Sequence, residues 1–272
     1  SNVYIETFES NVRHLAQQSQ TKLRTHVREV ATTGEKHNWE RMAATDAVEK
    51  TTVLTATPVV ETPWTRRVSV AETWHTADAT EQEDVVQMLV DPNSNIAVNL
   101  ANSMKRAIDD LIIAAATGDA LGGDGTPVAF PAGQTVGDGL QVQELYYTND
   151  VDPDEPKVMV IGPIQQRKLM QLMEVTSADY QSARALASGM LPNWMGFTWI
   201  VSTRLEAPAV GEINCLSFTP RGIGLQINRD ITSKVAEDPS VSFAWRIYSM
   251  MTMGAVRVED EHVVLLHVAD TV

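Results

Sequence analysis

DPNSNIAVNLANSMKRAIDDLIIAAATG, residues 91–118, decides the architecture. Asp91 suits an N-cap, Pro92 suits the first helical position, and Gly118 stands where a helix stops. Between them Ala97, Met104 and Leu111 fall seven apart, and so do Ala101, Ile108 and Ala115. These two rows make one face, with Asn95, Asn99, Asn102 and Lys105 largely off it. The spacing predicts a helix over 92–117. At about 25 residues it would span roughly 37 Å, a long strut for a domain of this size. The chain then leaves it through Gly118, Gly122, Gly123 and Gly125, which read as a hinge or surface loop.

Other readings of this stretch fail on physical grounds. The strongly apolar run, Leu111 to Ala116, is far shorter than the ~20 residues of a membrane span. Charged residues from Lys105 to Asp110 flank it. The glycines follow a helix, whereas phosphate is cradled at a helix N-terminus. No GxxxxGK[ST] occurs anywhere.

Upstream, residues 1–20 place Phe8, Val12, Leu15 and Ala16 at helical spacing, and TKLRTHVREV (21–30) alternates as a strand. SNVYIETFES lacks the basic and apolar regions of a signal peptide. Residues 45–65 carry many threonines and two prolines with no helical period, which favours extended backbone outside a central strand. HNWERM (37–42) and RRVSVAETWH (66–75) flank this segment. In the second, Val68, Val70 and Trp74 alternate against Arg67, Ser69 and Thr73. The picture is a long two-stranded arm with an extended tip. An isolated two-stranded ribbon is only marginally stable in water, so such an arm should lie against another subunit. Arg66 and Arg67, adjacent on a strand, should face opposite ways.

Downstream, VDPDEP (151–156) reads as an acidic turn, KVMVIG (157–162) as a buried strand, and Pro163 as the start of a helix. A second helix is predicted over 177–190. Strands are predicted at 197–203, 214–218 and 222–228, with TPRG turning between the last two. Long strands over 242–268 turn at Glu259–Glu261.

The chemistry-bearing residues form no catalytic set. Residues 150–155 resemble half a calcium loop, but Glu155 stands where glycine is required and Ile161 where a bidentate glutamate belongs. The six histidines form no metal-ligand pattern. Asp109/Asp110 and Glu259–Glu261 read as solvated faces. Cys215, alone and in mid-strand, reads as a buried small hydrophobe and fits a reducing compartment. The net charge of −14 and isoelectric point near 4.8 argue against a protein that grips nucleic acid through phosphates.

The order of these pieces resembles the major capsid protein of tailed double-stranded DNA phages, the α+β shell fold named for phage Hong Kong 97. The resemblance rests on Gly34-Glu-Lys and TDAVEK (45–50) on the arm, and Arg66-Arg67 on its return. LVDPNSN (89–95) and RAIDDLIIAAATGDALGGDG (106–125) carry it on the spine. VTSADY (175–180), WMGF (194–197) and GAVRVEDEHVV (254–264) follow. It implies an N-terminal arm over 1–30 and an extended loop over 31–75 that reaches a neighbouring subunit. A peripheral domain over 76–138 would contain the spine helix 92–117. An axial domain would occupy 139–240, and returning strands 241–272. The segment after Gly139 looks short for the helix expected there.

The resemblance implies a structural protein without enzymatic activity or cofactor. It would assemble as pentamers and hexamers of an icosahedral shell enclosing the genome, in the host bacterial cytoplasm. Partners would be further copies of itself, a portal, a scaffolding protein and a decoration or cement protein, with no membrane. Candidate inter-subunit residues are Lys50, Trp64, Arg66, Arg67 and Trp74. Some members cross-link through a lysine on the extended loop. Lys36 and Lys50 are the lysines there, but no asparagine partner or catalytic glutamate is identifiable. Two rivals remain: a cargo-enclosing nanocompartment shell of the same fold, and a soluble α/β enzyme. Deleting about residues 45–64 should leave the axial domain folded and abolish shells, as read by electron microscopy; normal shells would refute the arm's inter-subunit role.

Overall fold

The computed structural model describes residues 17–53, 56–57, 59–81, 92–118, 128–130, 136–171 and 193–270. A 3-10 turn at Arg24–His26 precedes strands β1 (Arg28–Ala31), β2 (Lys36–Met42), β3 (Trp64–Val70) and β4 (Glu72–Thr80). Helix α1 (Pro92–Thr117), β5 (Val128–Phe130) and helix α2 (Val136–Thr148) follow. Next come β6 (Lys157–Ile161), helix α3 (Pro163–Met170), β7 (Asn193–Trp194), β8 (Phe197–Val201) and β9 (Glu212–Phe218). The long strands β10 (Ile223–Asp238) and β11 (Ala244–Arg257), then β12 (Val263–Ala269), complete the chain.

The strands form three sheets. One has the order β1-β10-β11-β4, a second β5-β12-β9-β6-β8-β7, and β2 with β3 makes a separate ribbon. The spine helix α1 spans 92–117 as the spacing predicts, 26 residues or about 39 Å. Its Met104, Ile108, Ile112, Ile113 and Ala116 are buried with Leu225, Met251 and Met253 of the four-stranded sheet. Val158, Val160, Leu216 and Phe218 of the six-stranded sheet join the same cluster. Each such side chain contributes roughly 1.5–3 kcal/mol by leaving water. The opposite face of the six-stranded sheet is closed by α2 and α3 over Met159, Ile161, Cys215 and Leu266. That sheet is therefore covered on both faces, and β6 (KVMVI) is buried at every position.

Several sequence expectations need correction. TKLRTHVREV is a 3-10 turn that becomes a strand only at Arg28, because Leu23 and Val27 both point into the core. RRVSVAETWH is two strands: β3 stays with β2 in the ribbon, while β4 pairs antiparallel with β11. The alternation in β3, which left open which side is inside, buries Arg67 and Ser69 and leaves Val70 exposed. The helix after Gly139 is not short: α2 starts earlier, at Val136, and has 13 residues. TPRG and Glu259–Glu261 both turn the chain, but each carries it from one sheet to the other rather than closing a hairpin. The 222–228 strand runs on to Asp238. The predicted helices over 1–20 and 177–190 lie wholly or mainly outside the described residues, as do Asp91, Gly122, Gly123 and Gly125.

At the end of α1, the Gly118 N–H continues the helical pattern to the Ala114 carbonyl at 2.8 Å. Gly118 does not take the left-handed φ of a common helix terminator. Its reason is steric: an added Cβ would stand 2.9 Å from the Ala114 oxygen.

The buried side of α1 is wider than the apolar rows, for it includes Asn102 and Asp109. Asp109, expected on a solvated face, is 1% exposed. Its carboxylate accepts the backbone N–H of Lys22 (3.0 Å) and of Leu23 (3.2 Å), and the Gln18 side-chain amide. Arg106 donates to the Gln17 side chain (2.8 Å), and Lys105 to the Ser19 carbonyl (3.0 Å). Residues 17–23 are thus strapped across the helix. Asp110 turns outward and pairs with Arg204.

The sign of the Asp109 charge effect follows from its surroundings. Burial raises its pKa above the ordinary 3.8, against the opposing pull of the Lys22 and Leu23 amides. The folded state then holds the proton more tightly than the unfolded chain, so stability falls as pH rises from below 3.8 through the raised value. Asp109→Asn should flatten that slope in urea denaturation. Asp109→Ala leaves two buried N–H groups unmet, should cost about 2 kcal/mol, and should speed tryptic cleavage after Lys22 and Arg24. An unchanged cleavage rate would show that the strap does not depend on Asp109.

Candidate assembly surface: the arm and its root

The ribbon of β2 and β3 is held in antiparallel register, with Trp39 opposite Arg67, Glu40 opposite Arg66 and Met42 opposite Trp64. Successive side chains alternate faces. One face carries His37, Trp39, Arg67 and Ser69 toward the body of the protein. The other carries Met42, Trp64, Arg66 and Val70 toward solvent. The distribution departs from that of an ordinary half-buried ribbon, because most of the inward residues are polar, while the outward face is mixed, with Lys36, Asn38 and Glu40 beside Arg66 and Val68 beside the other apolar residues.

Trp39 explains how a polar face can be buried. Its ring is 4% exposed and lies against Gly224 of β10. His37 meets it edge-on at 4.8 Å between centroids, and the Arg28 guanidinium sits 5.6 Å from its centroid. The indole N–H donates to Ser69 Oγ (3.0 Å), and Ser69 donates to the Gln226 side-chain oxygen (2.7 Å). The Gln226 amide then donates to the Gly34 carbonyl (2.9 Å). Every polar group in this seam has a partner, so its burial carries little penalty.

A second polar cluster lies beside it, where the two large sheets meet. Asp260 sits between two arginines. Arg67 reaches one carboxylate oxygen, and Arg257 Nε stands 2.9 Å from the other. Arg67 also donates to the Arg257 carbonyl (3.2 Å), and Arg257 donates to the Ala116 carbonyl at the end of α1 (3.3 Å). A cation is favoured there by the helix dipole. Next to it, His262 Nδ1 lies 2.7 Å from Thr219 Oγ1, and its Nε2 lies 3.1 Å from Glu259. The His262 hydrogen bond holds Glu259 below its ordinary 4.5, over the opposing effect of burial. Glu155 approaches both His262 (3.5 Å) and Arg221 (3.4 Å). His262 therefore precedes β12 instead of sharing its pleat with His267. It belongs to the joint between sheets.

The open groove between the arm and this joint has a volume of about 1050 Å³ and is lined by Arg41, Arg66, Asn149 and Glu261 among others. Its mixed charges converge on no reacting centre. Among the described residues no cluster of His, Cys, Asp and Glu is placed to hold a metal ion. The acidic turn at 152–155 wraps the Lys157 ammonium, which donates to the carbonyls of Asp152 (3.2 Å), Pro153 (3.0 Å) and Glu155 (3.3 Å). Cys215 is fully buried, and burial pushes its thiol up to about 12.

The residues singled out from sequence separate in space. Lys50 is exposed on the extended part of the arm. Trp64 is two-thirds exposed beside Met42 at the arm's throat, and Trp74 stands exposed on β4. Arg66 faces solvent and pairs with Glu40 at 2.7 Å on the same ribbon. Arg67 points into its own subunit. Of the glycines after the spine, Gly118 alone is described. Sequence reasoning missed Trp39, Asp260, Arg257 and the glycines under the arm. A signal existed for Trp39, a large aromatic among charged residues in a short strand.

The family model for phage capsid protein matches residues 1–269. No curated protein matches the chain. Among solved structures, one from Mycobacterium phage Che8 is 15% identical, with 97% of each chain covered and a TM-score of 0.75. The head of Helicobacter pylori bacteriophage KHP40 is 12% identical over 98% of this chain and 96% of that one, with a TM-score of 0.75. The capsid of a native GTA particle is 16% identical over 98% and 95%, with a TM-score of 0.70. Sequence identities this low speak for a shared fold, and the full-length coverage shows that arm, spine and both sheets are all part of it. With the family model spanning nearly every residue, the chain belongs to the phage capsid protein family and is a structural shell protein of the α+β Hong Kong 97 type.

Proposed function

We propose that the protein assembles into pentamers and hexamers of an icosahedral shell around a double-stranded DNA genome. In this reading α1 and the four-stranded sheet form the peripheral part of each subunit. The six-stranded sheet with α2 and α3 forms the axial part. A portal, a scaffolding protein and a decoration protein are the further partners expected of such a shell.

The observation that carries the reading is the exposure of the arm. Met42, Val48, Val53, Val59 and Trp64 are 62–97% exposed on one thin element. Scattered exposed apolar residues are ordinary, but a concentration on one projection marks a contact surface. A neighbouring copy is the natural cover for them. The acidity fits too: a subunit with net charge −14 holds packed duplex loosely. The family match and the structures from two phages and a GTA particle favour this over a cargo-enclosing compartment.

Expressed alone or with its scaffold, the protein should give closed shells in electron micrographs; a strictly monomeric protein at high concentration would overturn the assignment. The two adjacent arginines should separate by role. Arg67→Glu buries a carboxylate against Asp260 and should destabilise the subunit by about 3–5 kcal/mol. Arg66→Glu breaks an exposed pair and should change subunit stability by less than about 1 kcal/mol, while lowering the yield of shells. Thermal unfolding of unassembled subunits and light scattering of assembly read the two effects independently. Equal shell yields for Arg66→Glu and the unaltered protein would remove Arg66 from the interface.

A further inference from the structure

The four-stranded sheet has the spine helix on one face and the arm root on the other. On the arm face two glycines stand on adjacent strands: Gly224 of β10, and Gly254 of β11, which pairs with Gln226. A Cβ at Gly224 would come within 2.6–2.7 Å of Cζ2, Cε2 and Cη2 of the Trp39 ring. A Cβ at Gly254 would come within 2.2 Å of the Val70 carbonyl oxygen and 2.8 Å of its carbon. Neither glycine takes a left-handed φ. Their absent side chains are notches. One receives the indole of β2 and the other receives the backbone where β3 crosses to β4. Arg67, across the ribbon from Trp39 and held by Asp260 and the Arg257 carbonyl, is a third fixed point.

Three points that do not share a line define a plane. We propose that this seat fixes the angle of the arm, and that Trp39 on Gly224 is the positioning residue that aims the arm for shell assembly. The inference rests on the shell-building function argued above. Its leverage is large. From Trp39 to Val53 an extended chain reaches at most about 46 Å. A tilt of about 5° at the root then displaces the tip by about 4 Å, enough to move Val53 and Val59 off a complementary surface. Trp39 thus controls assembly through geometry at a distance, without itself touching a neighbour.

The clashing atoms all belong to the six-membered ring of the indole, so a compensating pair of substitutions is available. Gly224→Ala should push Trp39 outward, tilt the arm and reduce shell yield tenfold or more, or spread the shell diameters. Trp39→Phe removes two of those atoms together with the N–H. Gly224→Ala combined with Trp39→Phe should therefore recover shells to within about threefold of the unaltered protein. Spin labels at Val53→Cys and Val210→Cys, with Cys215 buried and unreactive, report the arm angle in unassembled subunits. The unaltered chain should give one narrow distance distribution, Gly224→Ala a shift of several ångströms, and the double substitution a return. Thermal unfolding of each variant separates loss of fold from loss of aim. Unaltered shells or an unshifted distance in Gly224→Ala overturn the inference, and so does assembly that falls only in step with melting temperature and is not rescued. Absence of shells from the unaltered chain overturns the assembly reading and this inference with it, whereas shells from every variant overturn this inference alone.

Discussion

Asp260 between Arg67 and Arg257 is the contact on which the rest of the molecule depends. Four parts of the chain meet there: the arm through Arg67, the four-stranded sheet through Arg257, the turn into the six-stranded sheet through Asp260, and the spine through the Ala116 carbonyl. A half-buried carboxylate between two buried guanidiniums is not a cheap source of stability, because all three groups give up much of their water. What it supplies is geometry. Each guanidinium has a fixed fork of donors, and a carboxylate has two oxygens to receive them. Arg67 donates to one Asp260 oxygen and to the Arg257 carbonyl, while Arg257 faces the other Asp260 oxygen as an ion pair without a hydrogen bond and donates to the Ala116 carbonyl, so the parts meet in one relative arrangement. A well-packed apolar contact of the same size would tolerate sliding by an ångström.

The same logic explains why the chain changes sheet twice at one place. Thr219–Gly222 leads from β9 to β10, and Val258–His262 leads from β11 to β12. These two crossings lie side by side, linked by Thr219 to His262 and by the Val258 N–H to the Gly222 carbonyl at 2.8 Å. Gly222 has no room for a side chain, since a Cβ would lie 2.7 Å from Val263 and 2.8 Å from the His262 carbonyl. Two sheets that share the core under α1 are therefore joined at their ends by polar crossings rather than by one continuous sheet. The C-terminal half of α1 packs against both sheets near this joint and stiffens it. A shell subunit must hold its two halves at a set angle, and a hydrogen-bonded joint braced by a helix does so.

How far the sequence speaks depends on whether a feature is local. The spine was legible to the residue because its apolar repeat and the proline and glycine that bound it are all within one segment. The buried β6 was legible from composition alone. The arm was legible as a ribbon, but which of its faces is inside was not. Alternation says that Arg67 and Val68 point opposite ways; it does not say which way is inside. The usual guess puts the apolar side in, and here the polar side is in because Asp260 and Gln226, far along the chain, receive it. Asp109 was misplaced for a like reason, since the Lys22 and Leu23 amides that make its burial tolerable lie 86 or 87 residues away. The glycines at 224 and 254 looked like ordinary strand glycines, and their purpose is visible only with Trp39 and Val70 above them. Long-range polar pairing is what the linear text conceals.

This inversion also bears on why the arm exists as it does. A projection that must stay soluble until it meets a partner would normally hide its apolar residues against its own body. The seam under Trp39 leaves no place for them, for it is filled by the indole and by groups that already have hydrogen-bond partners. The apolar residues are thereby obliged to face outward, in a segment whose threonines and prolines resist collapse into a helix or a central strand. The root is over-determined and the tip is under-determined. The subunit is complete as a folded object and incomplete as a surface. In the proposed shell, that division lets one chain fold on its own and still gain by adding copies of itself, because a neighbouring copy covers the apolar area that the arm leaves in water.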